Sequence, residues 1–147
     1  MDAINLKKKN NVVLVGGCFD LLHFGHITFL KEAKKLGDHL IVLLESDKNV
    51  KRLKGEGRPF HSQKQRKEML LSLSCVDEVH ELPPIVGYEA YFDLINKINP
   101  SIIALTEGDP KLKTKTKQAE KVNARVVVIP KIYTPSTSQL AKLIGLE

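Results

Sequence analysis

Short apolar runs alternate with longer amphipathic stretches along the whole chain. Asn11–Val15, His39–Leu44, Ser101–Leu105 and Arg125–Ile129 are largely apolar without a polar face. That composition suits strands covered on both sides, as in a parallel sheet. Val76–Leu82 is a further strand candidate, broken by Pro83-Pro84. Between these runs the period changes. Phe24–Leu36 places Ile27, Leu30, Ala33 and Leu36 on one helical face, and Gly37 is a fitting stop. Asp47–Leu53 predicts a short helix and Lys54–Pro59 a loop. Ser62 caps a helix over Gln63–Ser72, with Met69, Leu70 and Leu73 toward the core. Tyr88–Ile98 reads as a helix stopped before Pro100, Lys111–Val122 as a lysine-rich helix or loop, and Ser136–Ile144 as a terminal helix.

Regular alternation of strand and helix predicts an α/β fold: a Rossmann-like, parallel, five-stranded sheet with helices on both faces. The chain of 147 residues has the size of a single domain and buries a core without a disulfide or metal staple. Residues 1–10, with Lys7-Lys8-Lys9, read as a flexible basic leader, and residues 11–147 as the domain. The lysine series Lys111, Lys113, Lys115 and Lys117 reads as a solvated face, and Tyr88, Tyr91 and Phe92 as core aromatics.

Charge narrows the partners. Lysine and arginine number 23 against 17 acidic residues, a net charge of +6, which favours anionic ligands. Few aromatics and no Trp argue against a base-stacking surface for single-stranded nucleic acid. No apolar run reaches the about 20 residues that cross a bilayer. Cys18 and Cys75 show neither a disulfide framework nor metal-ligand spacing, which suits a reducing, cytoplasmic setting.

The candidate chemistry lies where the first strand hands over to the first helix. Gly16 and Gly17 allow a ligand close to the backbone, and the helix start offers free N–H groups to an anion. His23 and His26 stand three residues apart there and share a face. As N–H donors they suit phosphoryl oxygens whose charge grows during phosphoryl or nucleotidyl transfer. A zinc site is the weaker reading, since no Cys or carboxylate completes a set. Gly25 between the histidines leaves room for a nucleotide. Lys54, on a glycine-flanked loop, is either a solvated lysine or a mobile charge for phosphates, and Lys51 is placed to assist. Arg58 and Arg66 are candidates for acceptor or nucleotide phosphate, with a surface ion pair as the alternative for Arg66. Asp20 either orients a loop backbone or helps hold a Mg²⁺-bound nucleotide. Ser136, Thr137 and Ser138 include the N-cap of the last helix and form a second anion cradle.

The stretch Gly17-Cys18-Phe19-Asp20-Leu21-Leu22-His23-Phe24-Gly25-His26 resembles the HxGH signature of the cytidylyltransferase-like nucleotidyltransferases. Ser46-Asp47 and Val50–Pro59 resemble the adenylyltransferase domain of bifunctional heptose-phosphate enzymes. His61–Arg66 and Val76–Val79 resemble glycerol-3-phosphate cytidylyltransferase, and Ser136–Ser138 the family's second signature. The resemblance implies transfer of a nucleoside monophosphate from a triphosphate to a phosphorylated small molecule, with Mg²⁺ and release of pyrophosphate. Among acceptors it favours ATP with a heptose-1-phosphate-type sugar. Glycerol-3-phosphate with CTP, FMN with ATP, and a non-catalytic nucleotide-binding regulator are the alternatives. It implies His23, His26, Lys54 and Lys131 as catalytic residues. Gly16, Gly17, Cys18, Phe19, Asp20, Gly25, Asp109, Ser136, Thr137 and Ser138 would bind the nucleotide, in a homodimer in many relatives. Two departures stand out: Thr106-Glu107-Gly108-Asp109-Pro110 lacks a lysine common there, and Lys131 stands where relatives carry Arg.

Overall fold

A computed structural model describes residues 11–84, 87–132 and 137–145, the side chain of Thr137 excepted; the expected leader lies outside them. In chain order the elements are β1 (Val12–Gly17), α1 (Phe24–Lys35), β2 (His39–Leu44), α2 (Asp47–Lys54), α3 (Gln63–Leu71), β3 (Glu78–Glu81), α4 (Tyr88–Ile98), β4 (Ile102–Thr106), α5 (Leu112–Lys121), β5 (Arg125–Ile129) and α6 (Thr137–Leu143). All pairings are parallel, in the order β3-β2-β1-β4-β5. The chain builds outward from β1 to β3, then returns to lay β4 on the other side of β1. That reversal opens a crevice beyond the carboxyl ends of β1 and β4.

The period-two alternation of each strand divides the core. Val13, Val15, Leu40, Val42 and Leu44 face α1 and α3, where Leu30, Ala33 and Leu70 meet them. Leu14, Ile41, Leu43, Ile103 and Leu105 face the other layer, with Ile95 of α4 and Ala119 of α5. The apolar runs of β1, β2 and β4 are continuous because both faces are covered. Gly37 serves by close approach rather than by left-handed geometry: a Cβ there would lie 2.2 Å from the Asn11 carbonyl oxygen.

Three charged side chains hold the turn after β1. Asp20 is inaccessible, and its Oδ2 accepts from Arg58 Nε and the Phe60 amide, both at 2.8 Å. Its Oδ1 accepts from the His61 amide at 3.1 Å. Burial pushes the Asp20 carboxyl up, but the Phe60 amide, Arg58 and the His61 amide together bring it below its ordinary value. Arg58 Nη1 also donates to Ser138 Oγ at 3.3 Å, tying in α6. Arg66, fully buried, donates to the carbonyls of Cys18 (2.7 Å) and His61 (3.0 Å) and to Asp47 Oδ1 (2.7 Å). This corrects the phosphate-gripping expectation for Arg66: its donors join the turn, the following loop and the start of α2. Asp20 likewise takes the loop-orienting role of its two readings.

Asp20→Ala leaves the Arg58 guanidinium buried without its carboxylate, and breaking such a pair costs about 3–5 kcal/mol. Denaturant unfolding at pH 7 should report a loss of that size. Asp20's folded pKa is depressed, so its contribution is complete above the unfolded value and fades as pH falls through the folded one. The variant should therefore show a smaller acid-induced loss of stability than the parent chain. An Asp20→Ala protein as stable as the parent would contradict the clamp.

Candidate active site

The turn from Cys18 to Leu21 leaves the sheet in an uncommon conformation. Phe19 and Leu21 have φ of 48° and 57°, left-handed values that cost a non-glycine residue about 1–3 kcal/mol. The Asp20 and Arg66 contacts hold them there. Gly16 and Gly17 leave little room above the strand. A Cβ on Gly16 would sit 3.1 Å from the Tyr91 hydroxyl, and one on Gly17 2.8 Å from the Phe19 ring. The backbone at the crevice is therefore bare because the chain beneath it is full.

His23 is the N-cap of α1, and the histidine pair forms a reciprocal cap. His23 Nδ1 accepts from the Gly25 amide at 3.0 Å, and His26 Nδ1 from the His23 amide at 3.3 Å. A neutral imidazole that accepts at Nδ1 carries its proton on Nε2. Two amides of the helix start thus set both tautomers and leave each Nε2–H as the remaining donor. Burial lowers the His26 pKa to about 4, with the nearby His23 and Lys54 adding to the effect, and burial also lowers that of His23. Both rings are neutral donors near pH 7. They stack with centroids 3.9 Å apart, and Phe19 meets His26 edge-on at 5.5 Å.

Both histidines line a cleft of about 1720 Å³ along the carboxyl edge of the sheet. Gly16, Gly17, Cys18, Phe19, Asp20, Gly25, Lys51, Lys54, Arg58, Asp109 and Lys131 line it as well; Arg66 does not. Cys18 is a thiol pushed above its ordinary pKa by burial. Lys54 ends α2 beside Gly55 and is exposed, whereas Lys51 pairs with Glu56 at 3.1 Å. Arg58 reaches the wall while its guanidinium serves Asp20. Asp109 is spent on Lys115 (3.1 Å) and the Lys111 amide (2.8 Å). Lys131 is exposed, and its backbone amide donates to Glu107 Oε1. Ser138 is half-buried against Arg58; Ser136 and the Thr137 side chain lie outside the described residues.

Several cleft residues carry no local signal in the sequence. Lys115 belongs to the series expected to be a solvated face, yet only 16 % of its side chain is exposed. Tyr91, expected in the core, packs there and also reaches the cleft floor beneath Gly16. Gln118 looks like one more polar residue of a polar helix but is 2 % exposed. Among the described residues no cluster of His, Cys, Asp or Glu is arranged to hold a metal, and no helix is long and apolar enough to cross a membrane.

Comparison with known proteins agrees with this geometry. The chain is 40 % identical over 144 residues to FAD synthase of Thermococcus sibiricus, covering 94 % of this chain and 93 % of that protein. It is 44 % identical over 97 residues to the bifunctional protein HldE of Helicobacter pylori, covering 66 % of this chain but 20 % of that longer protein. The crystal structure of the lipopolysaccharide core biosynthesis protein from Thermoplasma volcanium superposes with a TM-score of 0.67 at 25 % identity, covering 83 % of this chain and 96 % of that one. A pantoate-β-alanine ligase from Francisella tularensis shares the fold alone, with a TM-score of 0.61 at 19 % identity, covering 87 % of this chain and 62 % of that one. The cytidylyltransferase-like family model matches residues 14–141, a span that contains the histidine-capped turn, and the chain belongs to the cytidylyltransferase-like family.

Proposed function

We propose that the protein transfers AMP from ATP to the phosphate of FMN, forming FAD and releasing pyrophosphate. The observation that carries this reading is the extent of the likeness to FAD synthase, which spans 94 % of this chain and 93 % of that protein. The cleft chemistry supports it. Phe29, Leu36, Val127 and Ile129 give apolar walls continuous with the phosphate-facing turn. An acceptor that joins a phosphate to a flat apolar ring suits those walls better than a polyhydroxylated sugar. A heptose phosphate, the acceptor first expected from residues 52–59, is the second reading, favoured by the 44 % identity to HldE over 97 residues.

In the proposed reaction a phosphate oxygen of FMN bonds to the α-phosphorus of ATP. The bond from that phosphorus to the β-bridging oxygen breaks, and pyrophosphate leaves with the electron pair. A phosphate monoester is largely dianionic at neutral pH, so no general base is required. The protein's part is to position and to stabilise charge. His23 and His26 donate from Nε2 to the phosphoryl oxygens as negative charge grows. Lys54 and Lys131 neutralise the leaving phosphates, and the backbone of Gly16–Phe19 and Gly25 admits the nucleotide. Mg²⁺ fits as an ion carried by the triphosphate, whose charge it offsets, rather than as one caged by protein ligands.

Removing one donor aimed at developing charge typically lowers kcat by about 10²–10³. His23→Ala and His26→Ala should each do so in a pyrophosphate-release assay, with a much smaller change in KM for ATP. Loss confined to KM would remove the imidazoles from the transition state.

The pKa of His26 near 4 also sets a stability trend. Between the ordinary value of about 6.5 and the folded one, the unfolded chain binds the proton and the folded chain does not. Stability should therefore fall as pH drops from about 6.5 toward about 4, and His26→Ala should flatten that slope. An equal loss of unfolding free energy between pH 7 and pH 5 in the parent chain and in His26→Ala, from denaturant titrations, would contradict the burial of the ring.

Chromatography of mixtures containing ATP with FMN, or ATP with a heptose 1-phosphate, decides the acceptor. FAD should appear in the first mixture. An ADP-sugar without FAD would replace this reading with the second.

A further inference from the structure

The cleft floor holds a polar group that the reaction as derived does not use. Tyr91, on α4, packs in the layer of Leu14, Ile95 and Ile103, and it also lines the cleft. A Cβ on Gly16 would lie 3.1 Å from the Tyr91 hydroxyl, so the bare glycine leaves that oxygen uncovered at the end of β1. Among the described residues the hydroxyl has no hydrogen-bond partner. Phenylalanine would give the core the same ring. A largely buried hydroxyl without a partner costs stability, so its use lies with something that binds from the cleft.

The surroundings define what that ligand group is. Burial raises the Tyr91 pKa, and the Glu45 and Asp109 carboxylates raise it further, so the side chain is a neutral phenol that can donate. Asp109 is paired with Lys115. Glu45 directly follows β2, where its amide donates to the Gly17 carbonyl at 3.0 Å and its carboxylate accepts from Asn49, and it too lines the cleft. An alcohol suits this place, since it accepts from the phenol and donates to the carboxylate. A phosphate would meet like charge there. FMN carries such alcohols on the chain between its phosphate and its ring. Gly16 directly precedes the turn that faces phosphate, so a ligand with its phosphate at the histidines lays that chain over Gly16.

We propose that Tyr91 is a specificity-determining residue that donates its phenol hydrogen to a hydroxyl on the polyol chain of the acceptor; this rests on the FMN reading above. The ribose of ATP offers the same alcohol chemistry, and the test separates the two. Steady-state kinetics of the full chain and its Tyr91→Phe variant are measured with ATP and FMN varied in turn. They are repeated with an FMN analogue whose ribityl chain is a plain alkyl chain of the same length. Tyr91→Phe should raise KM for FMN about tenfold and leave kcat and KM for ATP unchanged, because one uncharged hydrogen bond is lost equally from ground and transition states. With the alkyl analogue the two proteins should share one KM, which a change of packing would not produce. The unliganded Tm should not fall, since no hydrogen bond within the protein is removed. An unchanged KM for FMN, or an equal rise with FMN and its alkyl analogue, overturns the assignment. A rise for ATP alone also overturns it and gives the hydroxyl to the ribose. FAD formed by the parent chain with an unaffected variant sinks this inference alone. No FAD from the parent chain sinks the FMN reading and this assignment with it.

Discussion

Asp20 holds a negative charge where no solvent reaches it, and the first βα turn is organised around satisfying that charge. An isolated buried carboxylate would be prohibitively costly. Here a guanidinium and two backbone amides converge on its two oxygens. The donors come from Arg58, Phe60 and His61, so the loop after α2 is bonded to the turn after β1 as one body. Arg66 joins the same segments through the Cys18 and His61 carbonyls. The left-handed Phe19 and Leu21 persist because their surroundings determine them several times over. Catalysis by positioning needs that kind of stiffness, since donors that must reorganise lose their advantage in the transition state.

The histidine pair takes its orientation from the helix it begins. In many sites a carboxylate fixes the imidazole tautomer; here two otherwise unpaired amides of a helix N-terminus do so. The i, i+3 spacing then has a direct cause. It is the distance from N-cap to N3, at which each ring reaches the other end of the first turn. Keeping Nδ1 unprotonated and the rings partly buried makes both residues neutral donors over the ordinary pH range. The two neutral rings therefore add no positive charge beside the nearby Lys54.

Charge is distributed unevenly along the cleft. Exposed lysines with long flexible stems, Lys54 above all, stand near the turn, where a polyanion would be gathered. At the ends of β4 and β5 Lys115 is paired with Asp109, while Lys131 stays exposed next to Pro130. The chain's membership of the cytidylyltransferase-like family is consistent with a cleft that carries exposed lysines.

Much of the fold was legible from local pattern. The bounds of β2, α4 and β5 follow the apolar runs and the Pro100 and Pro130 stops closely. β3 is shorter than the Val76–Leu82 run, because the Asp77 side chain turns to bond the Leu40 amide ahead of the ladder. Lys111–Val122, open between helix and loop, is a helix with Ala119 and Gln118 buried on its inner side. The site divides in the same way. Strand, glycines and paired histidines are neighbours in the chain, so the histidine-capped turn is written in consecutive residues. The roles of Arg58 and Arg66 are not. Arg58 meets Asp20 across 38 positions and Arg66 meets the Cys18 carbonyl across 48. Composition and periodicity determined the layers and the histidine-capped turn. Only tertiary structure decided which charges face a ligand and which are consumed inside, because a buried charge is defined by partners that sequence distance hides.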